Sequence, residues 1–393
     1  MKKRIYLDYA AATPLDSRVF KAMKPFLEIQ FGNPSSIHNE GVFAKKAIDT
    51  ARKNIANMLQ GHSDEIIFTS GGTEGNNLAI MGLALRREKE GAQFSKMHFV
   101  TTVIEHPSVM DIFAELERRG ASVSYVSVDA GGIIKLQELK KVLRKETVLV
   151  SIMYANSEIG TIQPISEIAK IIRHFSKTRN LKSPVFHTDA SQAPLYLDIT
   201  VQKLGVDLMT LDGQKIYGPK GVGALFKKRH ILINSLFYGG GQENGLRPGT
   251  ENVPGIVGFA EAFQRAVLER ERESARLAKL RDYFIKKILS EIPNTILNGD
   301  QEKRLPNNIN ISFLGIDNEW LLLQLDVAGI AVGAGSACFS QKENISYVVV
   351  ALDKDKGRAS SSIRFALGRK TRAEDIDYVA DTLKQIIDRN IEL

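Results

Sequence analysis

The chain has 393 residues, too many for one simple core and enough for a large α/β unit with a smaller companion. Its net charge is +8, but Lys and Arg are interleaved with Asp and Glu and no aromatic–basic tract is visible, which argues against direct nucleic-acid binding. No run approaches the roughly 18 apolar residues of a membrane span, and Asp8 interrupts any export signal begun by Lys2, Lys3 and Arg4, so a cytoplasmic protein is expected.

In chain order, a loop at Gly32-Asn33-Pro34-Ser35-Ser36 precedes helical periodicity over 40–59. Strand-like apolar runs follow at 66–69, 98–102, 123–128, 148–153, 185–188, 207–211 and 222–226. Helix-length segments at 73–90, 107–119, 135–144 and 165–178 separate most of them. This alternation predicts an α/β fold with a mainly parallel seven-stranded sheet, ligands collecting at the strands' carboxyl ends. A long helix over 256–292 leads to strand 308–313, helix 318–327, strand 363–366 and a last helix over 373–387. The expected division is a large domain over 15–255 and a small α+β domain made of 1–14 and 256–393.

The chemistry-bearing residues fall just after predicted strands. Ser70-Gly71-Gly72-Thr73 opens a helix, where free N–H groups and the Thr73 hydroxyl suit a phosphate or make an ordinary cap. His106 follows strand 98–102 and can stack on a ring and shuttle protons, or serve as a structural hydrogen-bonder. Asp189 can hold a protonated pyridine nitrogen or cap a helix. Lys215 lies between two strands in a glycine-punctuated turn, a candidate anchor for a carbonyl cofactor or else a surface lysine. The single cysteine, Cys338, excludes an internal disulfide and a cysteine-cluster metal site. Its stretch, Gly333 to Ser340, is rich in glycine and serine, which favours a nucleophile over a buried apolar residue.

Taken together, these residues resemble the fold-type I pyridoxal-phosphate enzymes, within them the class V aminotransferase group, and most narrowly the cysteine desulfurases of the NifS/IscS type. The resemblance rests on Tyr6-Leu7-Asp8-Tyr9-Ala10-Ala11-Ala12-Thr13-Pro14, Glu105-His106-Pro107, Lys215-Ile216-Tyr217-Gly218-Pro219-Lys220-Gly221, Arg247-Pro248-Gly249-Thr250-Glu251-Asn252, Gly335-Ser336-Ala337-Cys338 and Ser362-Ile363-Arg364-Phe365. It implies pyridoxal 5'-phosphate on Lys215, with its phosphate at Gly72 and Thr73 and near Asp212 and Gln214. Thr250 would reach the phosphate of a second copy, which implies a homodimer. His106 would stack on the ring, Asp189 would pair with its nitrogen and Gln192 would contact its phenolic oxygen. Asn33, Asn156, Ser157 and Arg364 would bind the substrate, L-cysteine, Arg364 by clamping its carboxylate. Cys338 would take the sulfur as a persulfide, release alanine, and pass the sulfur to an iron–sulfur scaffold or a tRNA-thiolation enzyme.

Three positions depart from that pattern. The family commonly reads Ser-Gly-His-Lys where this chain has Asp212-Gly213-Gln214-Lys215, and usually has asparagine where Ser157 stands. A carboxylate about 4 Å from a phosphate oxygen costs on the order of 4 kcal/mol per charge pair at an effective dielectric near 20. Asp212 is therefore expected to turn away, to take a basic partner or to be protonated. These departures keep a class V aminotransferase, a selenocysteine lyase and a catalytically weakened scaffold as the alternatives.

Overall fold

The computed structural model describes residues 4–181, 184–335 and 345–391, so Cys338 lies outside the described residues. The chain opens with β1 (Ile5–Tyr6), α1 (Ser17–Glu28) and α2 (Asn39–Leu59). It then alternates through β2 (Ile66–Thr69), α3 (Gly72–Lys89), β3 (His98–Thr102), α4 (Pro107–Arg118), β4 (Ser122–Val126) and α5 (Leu136–Val142). The run continues with β5 (Thr147–Ser151), α6 (Ile165–Thr178), β6 (Val185–Asp189), α7 (Val201–Leu204), β7 (Leu208–Asp212) and β8 (Gly223–Lys227).

These strands form one seven-stranded sheet in the order β2-β8-β7-β6-β5-β3-β4. Only β8 runs against its neighbours, β2 and β7; the other pairings are parallel. Most of these strands are buried along their whole length, as expected of a sheet covered on both faces. Successive residues enter different cores: Phe68 and Val150 face one apolar cluster, Ile67 and Leu149 the other.

The 39-residue α8 (Val253–Glu291) serves two cores. Its first half buries Ile256, Phe259 and Phe263 against the large sheet, and its second half buries Leu277, Phe284 and Ile288 in a separate cluster. That second cluster forms around β9 (Thr295–Leu297), β10 (Asn308–Phe313), α9 (Asn318–Val327), β11 (Ile330–Ala331), β12 (Ser362–Ala366) and α12 (Ala373–Ile391), while α10 (Tyr347–Asp353) and α11 (Lys356–Ser360) bury Val348, Val349, Leu352 and Ala359 in a further cluster with Ile104, Val128 and Ile159. Strand β10 lies between β9 and β12, antiparallel to both, while β1 pairs parallel with β11 and brings Ile5 and Leu7 into the same core. Among the described residues, no helix is long and apolar enough to cross a membrane.

The strands expected at 66–69, 98–102 and 308–313 lie where the apolar runs put them. Helix α1 was not foreseen, because Pro25 sits inside it and reads as a helix breaker; Asp16 caps it by accepting from Arg18 N–H at 2.9 Å. The two- and three-residue strands β1, β9 and β11 are too short to show a pattern.

Helix α3 lies so close to the sheet that a Cβ at Gly75 would stand 2.7 Å from Thr210 Cγ2. Overpacking of that kind costs about 1–3 kcal/mol. Gly75→Ala is expected to lower the unfolding free energy measured in urea by that amount, seen as a lower midpoint at unchanged m-value.

Candidate active site

The carboxyl ends of β6 and β7, the start of α3 and the turn after β7 enclose a cavity of about 250 Å³. Its walls include Gly72, Thr73, His106, Ser157, Asp189, Gln192, Asp212, Gln214, Lys215 and Arg364. The topology explains the convergence. Parallel strands β5 and β6 present their carboxyl ends at the same edge, and β7 delivers its last residue, Asp212, there too.

Lys215 is held by the N-terminal segment. Its Nζ donates to the carbonyls of Ala10 (3.0 Å) and Ala11 (2.6 Å). The same segment fixes the lysine's turn, since the Thr13 hydroxyl donates to Gln214 O at 2.7 Å and accepts from Tyr217 N–H at 2.7 Å. Burial pushes the Lys215 amine below its usual pKa, and the nearby Asp212 charge opposes that shift. Gln192 Nε2 also donates to Ala10 O, at 3.0 Å.

His106 caps α4. Its Nδ1 accepts from Ser108 N–H at 3.1 Å, so the neutral ring carries its proton on Nε2. Burial lowers the ring's pKa, which keeps it neutral near pH 7. Asp189 Oδ2 accepts from Asn76 Nδ2 at 2.8 Å, and Asn76 also donates to Ser108 Oγ at 2.9 Å. Asn76 thus ties the aspartate to the residue that orients the histidine. Behind them Glu105 is fully buried, accepting from the Thr102 hydroxyl (2.7 Å) and Met153 N–H (3.0 Å); burial pushes its carboxyl up to about 8.

Arg364 is 3% exposed and reaches three acceptors: Asp8 Oδ1 at 2.7 Å, Gly335 O at 3.2 Å and Ser157 O at 3.5 Å. Its Nε has no hydrogen-bond partner among the described residues.

Asp212 does not turn away from the cavity, contrary to one of the courses open to it. Its Oδ2 accepts from Gly72 N–H (3.2 Å) and Gln214 Nε2 (3.3 Å), and its Oδ1 accepts from Gln214 N–H (3.0 Å). No basic side chain lies within ion-pairing distance of it among the described residues, because Lys215 is spent on the Ala10 and Ala11 carbonyls. Desolvation raises its pKa, while the Lys215 charge and the Gly72 and Gln214 hydrogen bonds hold it down.

Four expected residues are not in this group. Asn33 is exposed, with its Oδ1 taking Ser35 N–H at 2.9 Å. Asn156 is buried in its own turn, its Nδ2 donating to Ile104 O and its Oδ1 accepting from Glu158 and Ile159 N–H. Thr250 is exposed beside a separate surface hollow with Phe237 and Tyr238. Cys338 falls outside the described residues. Conversely, Asp8, Asn76, Ser108 and Ser191 stand in the site with no role drawn from sequence. Asp8 sits inside a motif already singled out, but its partner lies 356 residues away, and that of Asn76, Asp189, lies 113 residues away; spacing carries no trace of either.

The family model for class-V aminotransferases matches residues 5–379. A protein of Dictyoglomus turgidum named cysteine desulfurase IscS is 46% identical, across 99% of this chain and 96% of its own. One of the same name from Clostridium botulinum (strain Hall) is 42% identical, across 100% of this chain and 96% of its own. A solved structure titled NifS-like protein, 35% identical, superposes with a TM-score of 0.90 and covers 98% of this chain and 100% of that one. The chain belongs to the class-V aminotransferase family and has the fold of its pyridoxal-phosphate enzymes. Within that family it is a cysteine desulfurase.

The Asp8–Arg364 pair joins side chains only 21% and 4% exposed. Removing one partner of such a pair leaves an uncompensated buried charge, at a cost of about 3 kcal/mol. Asp8→Ala is expected to lose about that much in urea denaturation.

Proposed function

We propose that Lys215 carries pyridoxal phosphate in this cavity, and that the enzyme takes sulfur from L-cysteine onto Cys338. The observation that carries the reading is the meeting of Lys215, His106, Asp189, Gln192 and Arg364 around one cavity of about 250 Å³. The side chains suit the group. Ser191 Oγ is a buried hydroxyl with no hydrogen-bond partner among the described residues, close to Gly72 at the start of α3, where a phosphate is favoured. Gly72, Thr73, Ser191 and Gln214 would hold the phosphate, Asp189 the ring nitrogen and Gln192 the phenolic oxygen. Bound there, pyridoxal phosphate supplies an electron sink for the substrate's α-carbon.

The chain's own residues do the rest. Arg364 meets the substrate carboxylate with its planar fork. Lys215 Nζ, its pKa lowered by burial, takes the α-proton. His106 Nε2, left free by the bonds at Nδ1, carries protons at the ring face. The Cys338 thiolate attacks the substrate sulfur. The carbon–sulfur bond breaks, Cys338 keeps the sulfur as a persulfide, and the carbon fragment gains a proton and leaves as L-alanine. In support, the described chain reaches Gly335 against Arg364, three residues before Cys338 in sequence.

The sulfur would pass to an iron–sulfur scaffold or a tRNA-thiolation enzyme in the cytoplasm. A homodimer is supported by Thr250, which is exposed beside Tyr238 (104% exposed) and Phe237 (54%) and suited to a second copy's phosphate. The domain division we propose is 15–255 and 1–14 with 256–393, in line with the two cores served by α8.

Purified protein is expected to be yellow and to release sulfide from L-cysteine when thiol is added. Cys338→Ala is expected to keep the colour and lose sulfide release, whereas Lys215→Ala loses the covalently bound cofactor's absorbance. Sulfide release by Cys338→Ala would refute the persulfide route.

A further inference from the structure

The N-terminus of α3 is served in an unusual way. Gly71, the residue before it, has φ 144° and offers no side-chain cap. The first-turn amide of Gly72 is instead met from across the sheet by Asp212, the last residue of β7, which is 6% exposed and lines the cavity. First-turn N–H groups have no partner within their own helix, and the helix dipole favours an anion beside them. A phosphate seeks the same groups for the same reason. Gln214, the other donor beside the cup, is also turned to this carboxylate, through both its N–H and its Nε2.

We propose that Asp212 competes with the cofactor's phosphate for the start of α3, and that the phosphate binds with uptake of one proton by the Asp212 carboxylate. This rests on the reading of Gly72 and Thr73 as the phosphate cradle. As a carboxylate, Asp212 is an acceptor that occupies the donors and repels a second anion. With a proton it becomes a donor to that anion, and the Gly72 and Gln214 groups are released to it. The proton comes from solvent, so no other reactant is needed.

The charged groups around Asp212 are few. Lys215 stands in the same turn, His106 at the start of α4, Asp189 at the end of β6 and Arg364 on β12. Glu74 in the first turn of α3 faces outward to Arg247, with Oε1 3.1 Å from Arg247 Nε. From β8, Gly223 stands opposite Asp212 and brings no charge. Desolvation favours the protonated form of Asp212, and of these groups Lys215 opposes it.

The test is equilibrium dialysis of the full-length chain, stripped of cofactor by a carbonyl-trapping amine, against pyridoxal phosphate between about pH 6.5 and 8.5. Over that range the phosphate is largely a dianion, since its second pKa is about 6. Wild type is expected to bind more tightly as pH falls. Asp212→Asn, which keeps an acceptor for Gly72 N–H, is expected to bind roughly 10- to 100-fold tighter at the alkaline end, with the gap closing toward pH 6.5. Asp212→Ser serves as a second variant should the first fold poorly. Pyridoxal, which lacks the phosphate, should bind wild type and variants alike. Equal affinities for pyridoxal phosphate at every pH, or weaker binding by both variants, would overturn the proposal. Thr73→Val separates the two readings: if it leaves the preference for pyridoxal phosphate over pyridoxal intact, the cradle itself is misassigned and the competition falls with it.

Discussion

The site depends on a strap of six residues. From Asp8 to Thr13 the chain passes between the two cores, and each end is fastened to a different one. Asp8 pairs with Arg364 on β12, and Thr13 locks the turn that holds Lys215. Between them the Ala10 carbonyl takes both Lys215 Nζ and Gln192 Nε2. Two sheets with separate hydrophobic cores have no intrinsic reason to present a lysine and an arginine to the same cavity. The strap supplies one, using hydrogen bonds and one mostly buried ion pair where non-directional apolar packing would leave the alignment loose.

Much of the large sheet was legible because its strands are buried on both faces, so that runs such as Ile66–Thr69 and Phe99–Thr102 are apolar or β-branched throughout. Lys215, His106 and Asp189 were legible for a related reason: each stands at or just past the carboxyl end of a strand, where an α/β sheet gathers its ligands. Other features left no such trace. Pro25 hides α1, and a two-residue strand such as β1 has no period to detect. The partner of Asp212 is an amide 140 residues away, so sequence flagged the carboxylate as out of place without saying that it would meet Gly72. Asn156 shows the converse. Its residue type suits substrate binding, but a buried amide must satisfy its own turn first, and its groups are taken by Ile104, Glu158 and Ile159.

Burial organises the electrostatics of the cavity more than ion pairing does. Desolvation is the leading cause of the shifts at Lys215, His106 and Asp212, lowering the first two and raising the third. Each group is pushed toward its neutral form. A lysine that gives up its proton readily and a neutral imidazole suit proton transfer, and the same dryness bears on the aspartate beside them. One physical term thus prepares the useful groups and the awkward one together.

The pairing of β1 with β11 also sets an order of events during synthesis. Ile5 leaves the ribosome first, yet its partner Ile330 emerges only after the whole large sheet, and Arg364 later still. Domains generally fold as they emerge, so the sheet can close while the strap has nothing to fasten to at its outer end. The Asp8 end of the strap is therefore fastened last, once β12 has emerged. A chain truncated before β12 would display the large sheet without Arg364 at its cavity.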